Sequence, residues 1–148
     1  MRVLIQRVKT GSVTIDGVEK RSIGAGIVIL LGITHGDTIN DVRYLVEKSA
    51  NLRIFEDTQG KMNLSLSDIG GDVLIISQFT LYGNCQKGRR PGFEDAAPPE
   101  YAIPLYEKFI EEFKKTSLQV VTGEFGATML VDIQNDGPVT LMLESTQR

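Results

Sequence analysis

Thiol and imidazole side chains are nearly absent from this chain of 148 residues, which has one cysteine, Cys85, and one histidine, His35. A single cysteine cannot form a disulfide within the chain, and one thiol with one imidazole cannot build a zinc site. No group of aspartate and glutamate residues has the spacing of a Mg²⁺ motif. We therefore predict no metal and no other cofactor, and a reducing compartment fits this composition.

Long apolar runs are also absent, since none approaches the roughly 20 residues that a membrane helix needs. The first residues, MRVLIQRVKT, are too evenly charged, and too short in their apolar part, for a signal peptide. We therefore expect a cytoplasmic protein without a membrane partner. The net charge of −3 argues against a surface that coats nucleic acid, although residues 84–92 contain three basic residues and no acid.

The sequence motifs of several large enzyme classes are missing. No Ser-His-Asp set is recognisable, because His35 would have to be its base and no nucleophile elbow is present. There is no GxxxxGK[ST] phosphate loop, and the glycines of GAGIVILLG (24–32) do not match GxGxxG. An enzyme with this sequence must depend on backbone donors, a hydroxyl group and substrate positioning.

The apolar patterns predict one strand-dominated α+β domain over residues 1–148, because no repeat or linker interrupts the chain. One helix should begin after a capping box of Thr38 and Asp41 and end near residue 52. A second should run from Pro99 to Lys115, with a kink or restart at Pro104. Strands are predicted over residues 2–8, 12–15, 18–23, 26–33, 72–81, 118–126, 127–133 and 139–145.

Two polar segments are candidates for chemistry. Ser77-Gln78-Phe79-Thr80 ends an otherwise apolar strand, where polar groups can face a ligand without disturbing the core. On the residues alone, ordinary strand positions are the favoured interpretation for Ser77 and Thr80. A long polar loop, 82–99, follows and carries Lys87, Arg89 and Arg90, which indicate either a phosphate-binding segment or a merely solvated loop. His35 is interpreted as a turn residue and Cys85 as a thiol without function.

A third segment, NDGPVT (135–140), lies between the last two predicted strands. Asp-Gly between apolar runs is typical of a tight hairpin. Pro138 complicates this prediction, because proline cannot donate to a strand ladder and is the residue that readily forms a cis peptide bond.

These motifs together resemble the D-aminoacyl-tRNA deacylase (D-tyrosyl-tRNA deacylase) family. The resemblance extends over nearly the whole chain, in order, and the pair SQFTL and NDGPVT makes it specific. The main matching segments are QRV (6–8), SQFTLYG (77–83), KGRRPGFEDAAPPE (87–100), GEFGATM (123–129) and NDGPVT (135–140).

The resemblance implies a homodimer with antiparallel or mixed, barrel-like sheets and active sites at the subunit interface. It implies hydrolysis of the ester that joins a D-amino acid, or glycine, to the 3′-terminal adenosine of tRNA, while L-aminoacyl-tRNA is spared. The pair Gly137-Pro138 would be cis and would enter the pocket of the partner subunit, where its carbonyls exclude an L side chain. We also expect glycine at 137 because a Cβ would fill space needed by the substrate.

The resemblance assigns the catalytic wall to Ser77, Gln78, Phe79 and Thr80. Backbone N–H groups near Phe79 and Thr80 would face the ester carbonyl. Thr80 would be a nucleophile or a positioning group, and we favour positioning because no base lies nearby in the sequence. The 2′-hydroxyl of the terminal ribose would help to activate water.

The resemblance also assigns residues that bind the rest of the substrate. Phe125 and Met129 correspond to adenosine-binding positions, and Arg7 is expected to donate to carbonyls of the Gly-Pro loop. The tRNA would contact Lys87, Arg89 and Arg90, although the family often has Asn where Arg89 stands and usually Ser where Gly92 stands. The extra glycine could loosen this loop.

A subgroup for a different mischarged tRNA carries Thr-Pro, and Gly137 argues against membership in it. The alternative functions are a non-catalytic nucleic-acid-binding protein on the same fold and an esterase for small D-aminoacyl esters.

Overall fold

The computed structural model describes residues 1–145, and most of them belong to strands and two long helices. In chain order the elements are β1 (Arg2–Ile15), β2 (Glu19–Ile23), β3 (Gly26–Gly32), α1 (Ile39–Asn51), β4 (Phe55–Glu56), β5 (Met62–Leu64), α2 (Leu66–Ile69), β6 (Asp72–Ser77), a 3₁₀ helix (Phe79–Tyr82), α3 (Pro99–Lys114), β7 (Val120–Thr122) and β8 (Met129–Glu144).

Six strands form a mixed sheet in the order β2-β1-β3-β6-β7, with β8 on the other edge of β1. The first half of β1 pairs with β3 and its second half with β2, while β8 is antiparallel to both halves. The pairs β3–β6 and β6–β7 are parallel. This confirms the predicted α+β class, with a mixed, barrel-like sheet and two main helices.

The central strands have cores on both faces, as the continuous apolar runs predicted. On one face, Ile29 of β3 and Ile75 of β6 pack with Phe109 of α3, and all three are fully buried. On the other face, Val28 and Leu74 belong to a second apolar cluster. The helix α1 starts at the predicted capping box, in which Thr38 N donates to Asp41 Oδ2 over 2.7 Å. This packing anchors the ends of β3 and β6 firmly.

Several predicted element boundaries are wrong. The strand predicted over 118–126 covers only Val120–Thr122, and the strands predicted over 127–133 and 139–145 are the single strand β8. The segments 2–8 and 12–15 are one strand, because β8 pairs with β1 along both of them. The strand predicted over 72–81 ends at Ser77, where the chain turns into the 3₁₀ helix. The helix α3 continues through Pro104 without a restart. Pro104 and Glu100 are both exposed, so the Glu100 carbonyl that loses its helical partner faces water.

The hairpin typical of the Asp-Gly pair in 135–140 does not form, because β8 continues through this segment and stays paired with β1 on both sides of it. Within residues 1–145, no helix has the length and apolar character needed to cross a membrane.

Candidate active site

The first half of the candidate site lies where β6 leaves the core. Gln78 N donates to Leu31 O over 2.7 Å, and the chain then turns into the 3₁₀ helix. This turn packs closely on Gly32 at the end of β3, where a Cβ would lie 3.1 Å from Leu81 Cβ and 3.2 Å from Gln78 O. The sheet therefore fixes the position of Ser77 and of the helix that follows.

Two adjacent backbone donors are free at the start of this helix. Within residues 1–145, no acceptor lies within hydrogen-bond distance of the N–H groups of Phe79 and Thr80. The first N–H groups of a helix have no intrahelical partner, so these two can donate to an external oxygen. Both residues are exposed, so a ligand can reach their backbone.

The Thr80 hydroxyl has an amide donor as its neighbour. Gln78 Nε2 donates to Thr80 Oγ1, and within residues 1–145 no carboxylate or imidazole is hydrogen-bonded to this hydroxyl. The only imidazole in the chain lies elsewhere, with His35 Nε2 3.0 Å from Glu94 O. An amide donor cannot remove the hydroxyl proton. The arrangement leaves that proton for donation and favours Thr80 as a positioning group.

The cavity beside this helix is small. Its volume is about 80 Å³, which holds two or three water molecules but not an aminoacyl adenosine. Phe125 lies in its wall, with its ring centroid 5.7 Å from that of Tyr106. The wall also contains Leu31, Ile33, Ser77, Gln78, Phe79, Ala97, Ala102 and Gly126. Met129 lies outside this wall and packs on the second apolar cluster.

The second half of the site is a bulge in β8. Gln6 pairs with Thr140, but Val8 pairs with Asn135, so residues 136–139 bulge out opposite Arg7 alone. The Gly137-Pro138 peptide bond is cis, and both residues are exposed. Asn135 closes the bulge: its Oδ1 accepts from Val139 N over 3.0 Å and its Nδ2 donates to Thr140 Oγ1 over 2.8 Å.

Arg7 holds the bulge from the protein side. Its Nε donates to Asp136 O over 3.1 Å, and its Nη1 donates to Ile54 O over 2.6 Å. The side chain of Arg7 is almost fully buried. Gly137 has φ +124, and a Cβ there would lie 3.0 Å from both Arg7 Nη2 and Val139 Cγ2. Glycine is therefore required at this position by the chain itself, a reason that the sequence did not indicate.

Within one chain the two halves stay apart. Ser77, Gln78 and Phe125 share the small cavity, whereas the groove beside the bulge is lined by Arg7, Lys9, Phe55, Glu56, Ile69 and Asp136. These two sets have no residue in common, and no hydrogen bond within residues 1–145 joins Gly137 or Pro138 to the 3₁₀ helix.

Within the predicted loop 82–99, the basic segment 84–92 is largely exposed. Asn84 and Gly92 exchange two backbone hydrogen bonds, of 2.7 and 2.9 Å, which join the two ends of the basic segment. Lys87, Arg89 and Arg90 are exposed and form no ion pair within residues 1–145. Three cations are thus free to meet an external anion.

Sequence reasoning missed Arg2, which fastens the 3₁₀ helix to the sheet. Arg2 Nη1 donates to Leu81 O over 2.9 Å, and its guanidinium carbon lies 4.5 Å from the ring centroid of Tyr82. Its Nε also pairs with Glu144 at 2.7 Å. Burial raises the pKa of Tyr82 well above its usual range. The sequence holds no signal for this contact, since Arg2 occupies an ordinary polar position in an alternating strand.

The fold is shared with known structures. One, described as "c-Myc DNA Unwinding Element Binding Protein", is 45% identical, has a TM-score of 0.90, and aligns over 97% of this chain and 98% of its own. Another, described as a "probable eukaryotic D-amino acid tRNA deacylase", is 20% identical with a TM-score of 0.86, over 96% and 97% of the two chains. The second likeness concerns the fold alone.

The relatives found by sequence indicate the family more specifically than the shared fold does. The chain is 59% identical to a D-aminoacyl-tRNA deacylase of Heliobacterium modesticaldum, over 97% of this chain and 96% of the relative. It is 60% identical to one of Bacillus thuringiensis, over 98% and 99%. The family model described as D-Tyr-tRNA(Tyr) deacylase matches residues 4–144. The chain belongs to the D-Tyr-tRNA(Tyr) deacylase family.

Proposed function

We propose that this protein hydrolyses the ester bond between a D-amino acid and the 3′-terminal adenosine of tRNA, in line with the name D-aminoacyl-tRNA deacylase that its relatives carry. The observation that supports this best is the pair of unpartnered N–H groups of Phe79 and Thr80 beside the small cavity. Two adjacent backbone donors without partners suit the oxyanion that forms when a nucleophile adds to an ester carbonyl.

The chemistry uses water as the nucleophile. Water adds to the ester carbonyl, the negative oxygen is stabilised by the two N–H groups, and the carbonyl carbon–ribose oxygen bond then breaks. The leaving ribose oxygen takes up a proton, so a free D-amino acid and tRNA are released. The Thr80 hydroxyl, which accepts from Gln78, positions the reacting groups by donating a hydrogen bond and keeps its proton. The 2′-hydroxyl of the terminal ribose helps to activate the water.

The remaining contacts would bind the tRNA end. Phe125 in the cavity wall offers an aromatic surface to adenine, and Met129 lies at the start of β8. The phosphate backbone would contact Lys87, Arg89 and Arg90, because these exposed cations form no ion pair within residues 1–145 and can bind phosphates. Such a substrate would be met in the cytoplasm.

A homodimer would complete the site. The cavity is too small for the substrate, and the bulge lies away from it in the same chain. We propose that the bulge of one subunit covers the cavity of the other, with Gly137 and Pro138 facing the α-carbon of the amino acid. An L side chain would collide with this backbone, whereas a D side chain points elsewhere. Glycine has no side chain to reject, so glycyl-tRNA would also be a substrate.

The rival function is nucleic-acid binding without catalysis. It has one specific support, since the structure that is 45% identical is described as a protein that binds a DNA unwinding element. An esterase for small D-aminoacyl esters is a further rival, which the exposed cations Lys87, Arg89 and Arg90 make less suitable.

The test compares hydrolysis of D-tyrosyl-tRNA and L-tyrosyl-tRNA by the wild type and by Gly137→Ala. We expect the wild type to prefer the D ester by roughly 100-fold or more, since a steric clash discriminates by several kcal/mol. Gly137→Ala should reduce D-ester hydrolysis by about tenfold or more, because its Cβ displaces Arg7 and Val139.

Gly17→Ala is the matched control, because Gly17 also has a positive φ, +70, but a Cβ added there would meet no atom within 4 Å. It should keep wild-type activity and selectivity although it also places a side chain at a positive φ. Binding of both tRNAs without hydrolysis of either would favour the nucleic-acid-binding protein. Equal hydrolysis of D and L esters would mean that the protein is an esterase that does not distinguish the two enantiomers.

A further inference from the structure

Two aromatic rings are exposed side by side next to the cavity. Phe79 is 55% exposed and Phe93 is 39% exposed. Their ring centroids are 5.1 Å apart and their planes meet at 71°, which is an edge-to-face pair. A soluble protein gains nothing from leaving two phenylalanines in water, so such a pair indicates a binding surface.

The pair is held in position by the backbone beneath it. A Cβ at Gly83 would lie 3.0 Å from Phe93 Cε1, so the ring rests directly on this glycine. Phe93 follows Gly92, whose backbone is fixed by its two hydrogen bonds to Asn84. Phe79 is fixed as the first residue of the 3₁₀ helix. The rings therefore form a preorganised surface.

This surface lies between two parts of the proposed site. Phe79 is also in the wall of the cavity. Phe93 lies in the same loop as the exposed cations Lys87, Arg89 and Arg90. A strand of nucleic acid that leaves the cavity toward these cations would pass over the two rings.

We propose that Phe79 and Phe93 form a stacking site for the unpaired base that precedes the terminal adenosine of the substrate. This inference rests on the proposed function and names a further part of the same site. Single-stranded nucleic acids are commonly bound by stacking bases on aromatic side chains beside a positive groove. In an edge-to-face pair, at least one ring keeps a free face for a base. Stacking reads no base edge, so the site would tolerate any base.

A protein partner is the other possible occupant, since aromatic residues and arginine are both common in protein–protein interfaces. We favour nucleic acid because Lys87, Arg89 and Arg90 form no ion pair within residues 1–145, although Glu94 lines the same groove as Lys87 and Arg90. Phosphates next to a stacked base would supply the missing negative charge.

The experiment measures how much a second nucleotide raises kcat/KM for hydrolysis of the D-tyrosyl ester. The D-tyrosyl esters of adenosine and of the dinucleotide cytidylyl-adenosine are compared as a ratio of kcat/KM within each variant. In the wild type we expect a gain of about 30-fold, the middle of the range for one stacked base. In Phe93→Ala the gain should fall below about threefold, and in Phe93→Tyr it should be retained because an aromatic face remains.

Met62→Ala is the control, since Met62 is 49% exposed on β5 and lies outside the proposed site. It should show the wild-type gain. Because the readout is a ratio, a general loss of activity or of folded protein cancels.

An unchanged gain in Phe93→Ala, or no gain in the wild type, would overturn the stacking site while leaving the deacylase intact. A change of oligomeric state in Phe93→Ala with an unchanged gain would assign the rings to a subunit interface instead. If the wild type hydrolyses neither ester nor D-tyrosyl-tRNA, the proposed function fails first and the stacking site fails with it.

Discussion

At the scale of single residues, the hydrogen-bond partner of Thr80 supports the positioning role that we propose for it. The sequence left open whether its hydroxyl attacks the ester or positions the reacting groups. In the structure the hydroxyl accepts from the Gln78 side chain and has no base within residues 1–145. A nucleophilic hydroxyl needs a base to take its proton, so positioning is the role that fits.

Replacing Thr80 should therefore affect hydrolysis without abolishing it. Thr80→Val keeps the shape but removes the hydroxyl, and we expect kcat for D-tyrosyl-tRNA to fall roughly 10- to 100-fold with a smaller change in KM. Thr80→Ser keeps the hydroxyl and should stay within about threefold of the wild type. Steady-state kinetics with both variants checks this. A D-tyrosyl-enzyme ester trapped by acid quench in the wild type would instead establish Thr80 as the nucleophile.

The sequence singles out candidate site residues where polar groups follow an apolar run. Ser77 and Thr80 are candidates because they end such a run, and Gly137 because Gly-Pro is an unusual pair at the start of a strand, while their proposed roles come from the family resemblance. The supports of these residues were not predicted. Arg2 acts across a contact between distant parts of the chain, and a single sequence carries no record of it. Asn135 closes the bulge through contacts with Val139 and Thr140 that the hairpin prediction did not include.

At the scale of elements, the segment NDGPVT is a bulge and not a turn. Asp-Gly favours a hairpin locally, but β1 is long enough to pair with β8 on both sides of residues 136–139. The same pairing merges the predicted strands 2–8 and 12–15 into one. The predicted strand boundaries were wrong where pairing between distant segments overrode a local signal. Elements such as β3 and α1 were predicted correctly because their apolar patterns and cap are local.

Arg7 is the side chain on which the shape of the bulge depends. Arg7→Ala would leave the carbonyls of Asp136 and Ile54 without their donor, at a cost of about 1–3 kcal/mol for each buried group. We expect the free energy of unfolding to fall by about 2–4 kcal/mol, measured by urea denaturation. Arg7→Lys keeps the charge but cannot replace a planar guanidinium that donates in two directions, so an intermediate loss is expected.

Lys9→Ala tests whether positive charge near Asp136, rather than the two hydrogen bonds from Arg7, stabilises the bulge. Lys9 Nζ lies 3.5 Å from Asp136 Oδ2, but its side chain is 70% exposed. Its loss should change the free energy of unfolding by less than about 0.5 kcal/mol and leave the D/L preference intact. A loss as large as that of Arg7→Ala would mean that charge next to Asp136, rather than the two carbonyl contacts, stabilises the bulge.

At the scale of the whole molecule, β8 is an edge strand that nothing covers within residues 1–145. None of its residues is buried, and among the described strands it pairs only with β1. Leu130 is 67% exposed and Met142 is 46% exposed. A long, flat edge with apolar side chains is an aggregation hazard unless another chain covers it. The position of the bulge on this same strand links the exposed edge to the proposed active site.

We therefore expect charges on β8 to separate the subunits and to abolish activity together. The double variant Leu130→Lys and Met142→Lys should lower the mass in light scattering from two chains to one, because lysine is disfavoured in interface cores. D-tyrosyl-tRNA hydrolysis should fall at least about 100-fold, since each cavity loses the bulge that completes it.

Val18→Lys is the control for added charge, because Val18 is 87% exposed at the turn between β1 and β2 and is not part of β8. It should remain dimeric and active. A monomeric double variant with full activity and full D/L preference would show that one chain suffices, and the bulge would then have to act within its own subunit. A dimeric double variant would place the interface on another surface. The aromatic pair Phe79 and Phe93 would be the next surface to examine, because it is an exposed apolar group beside the cavity.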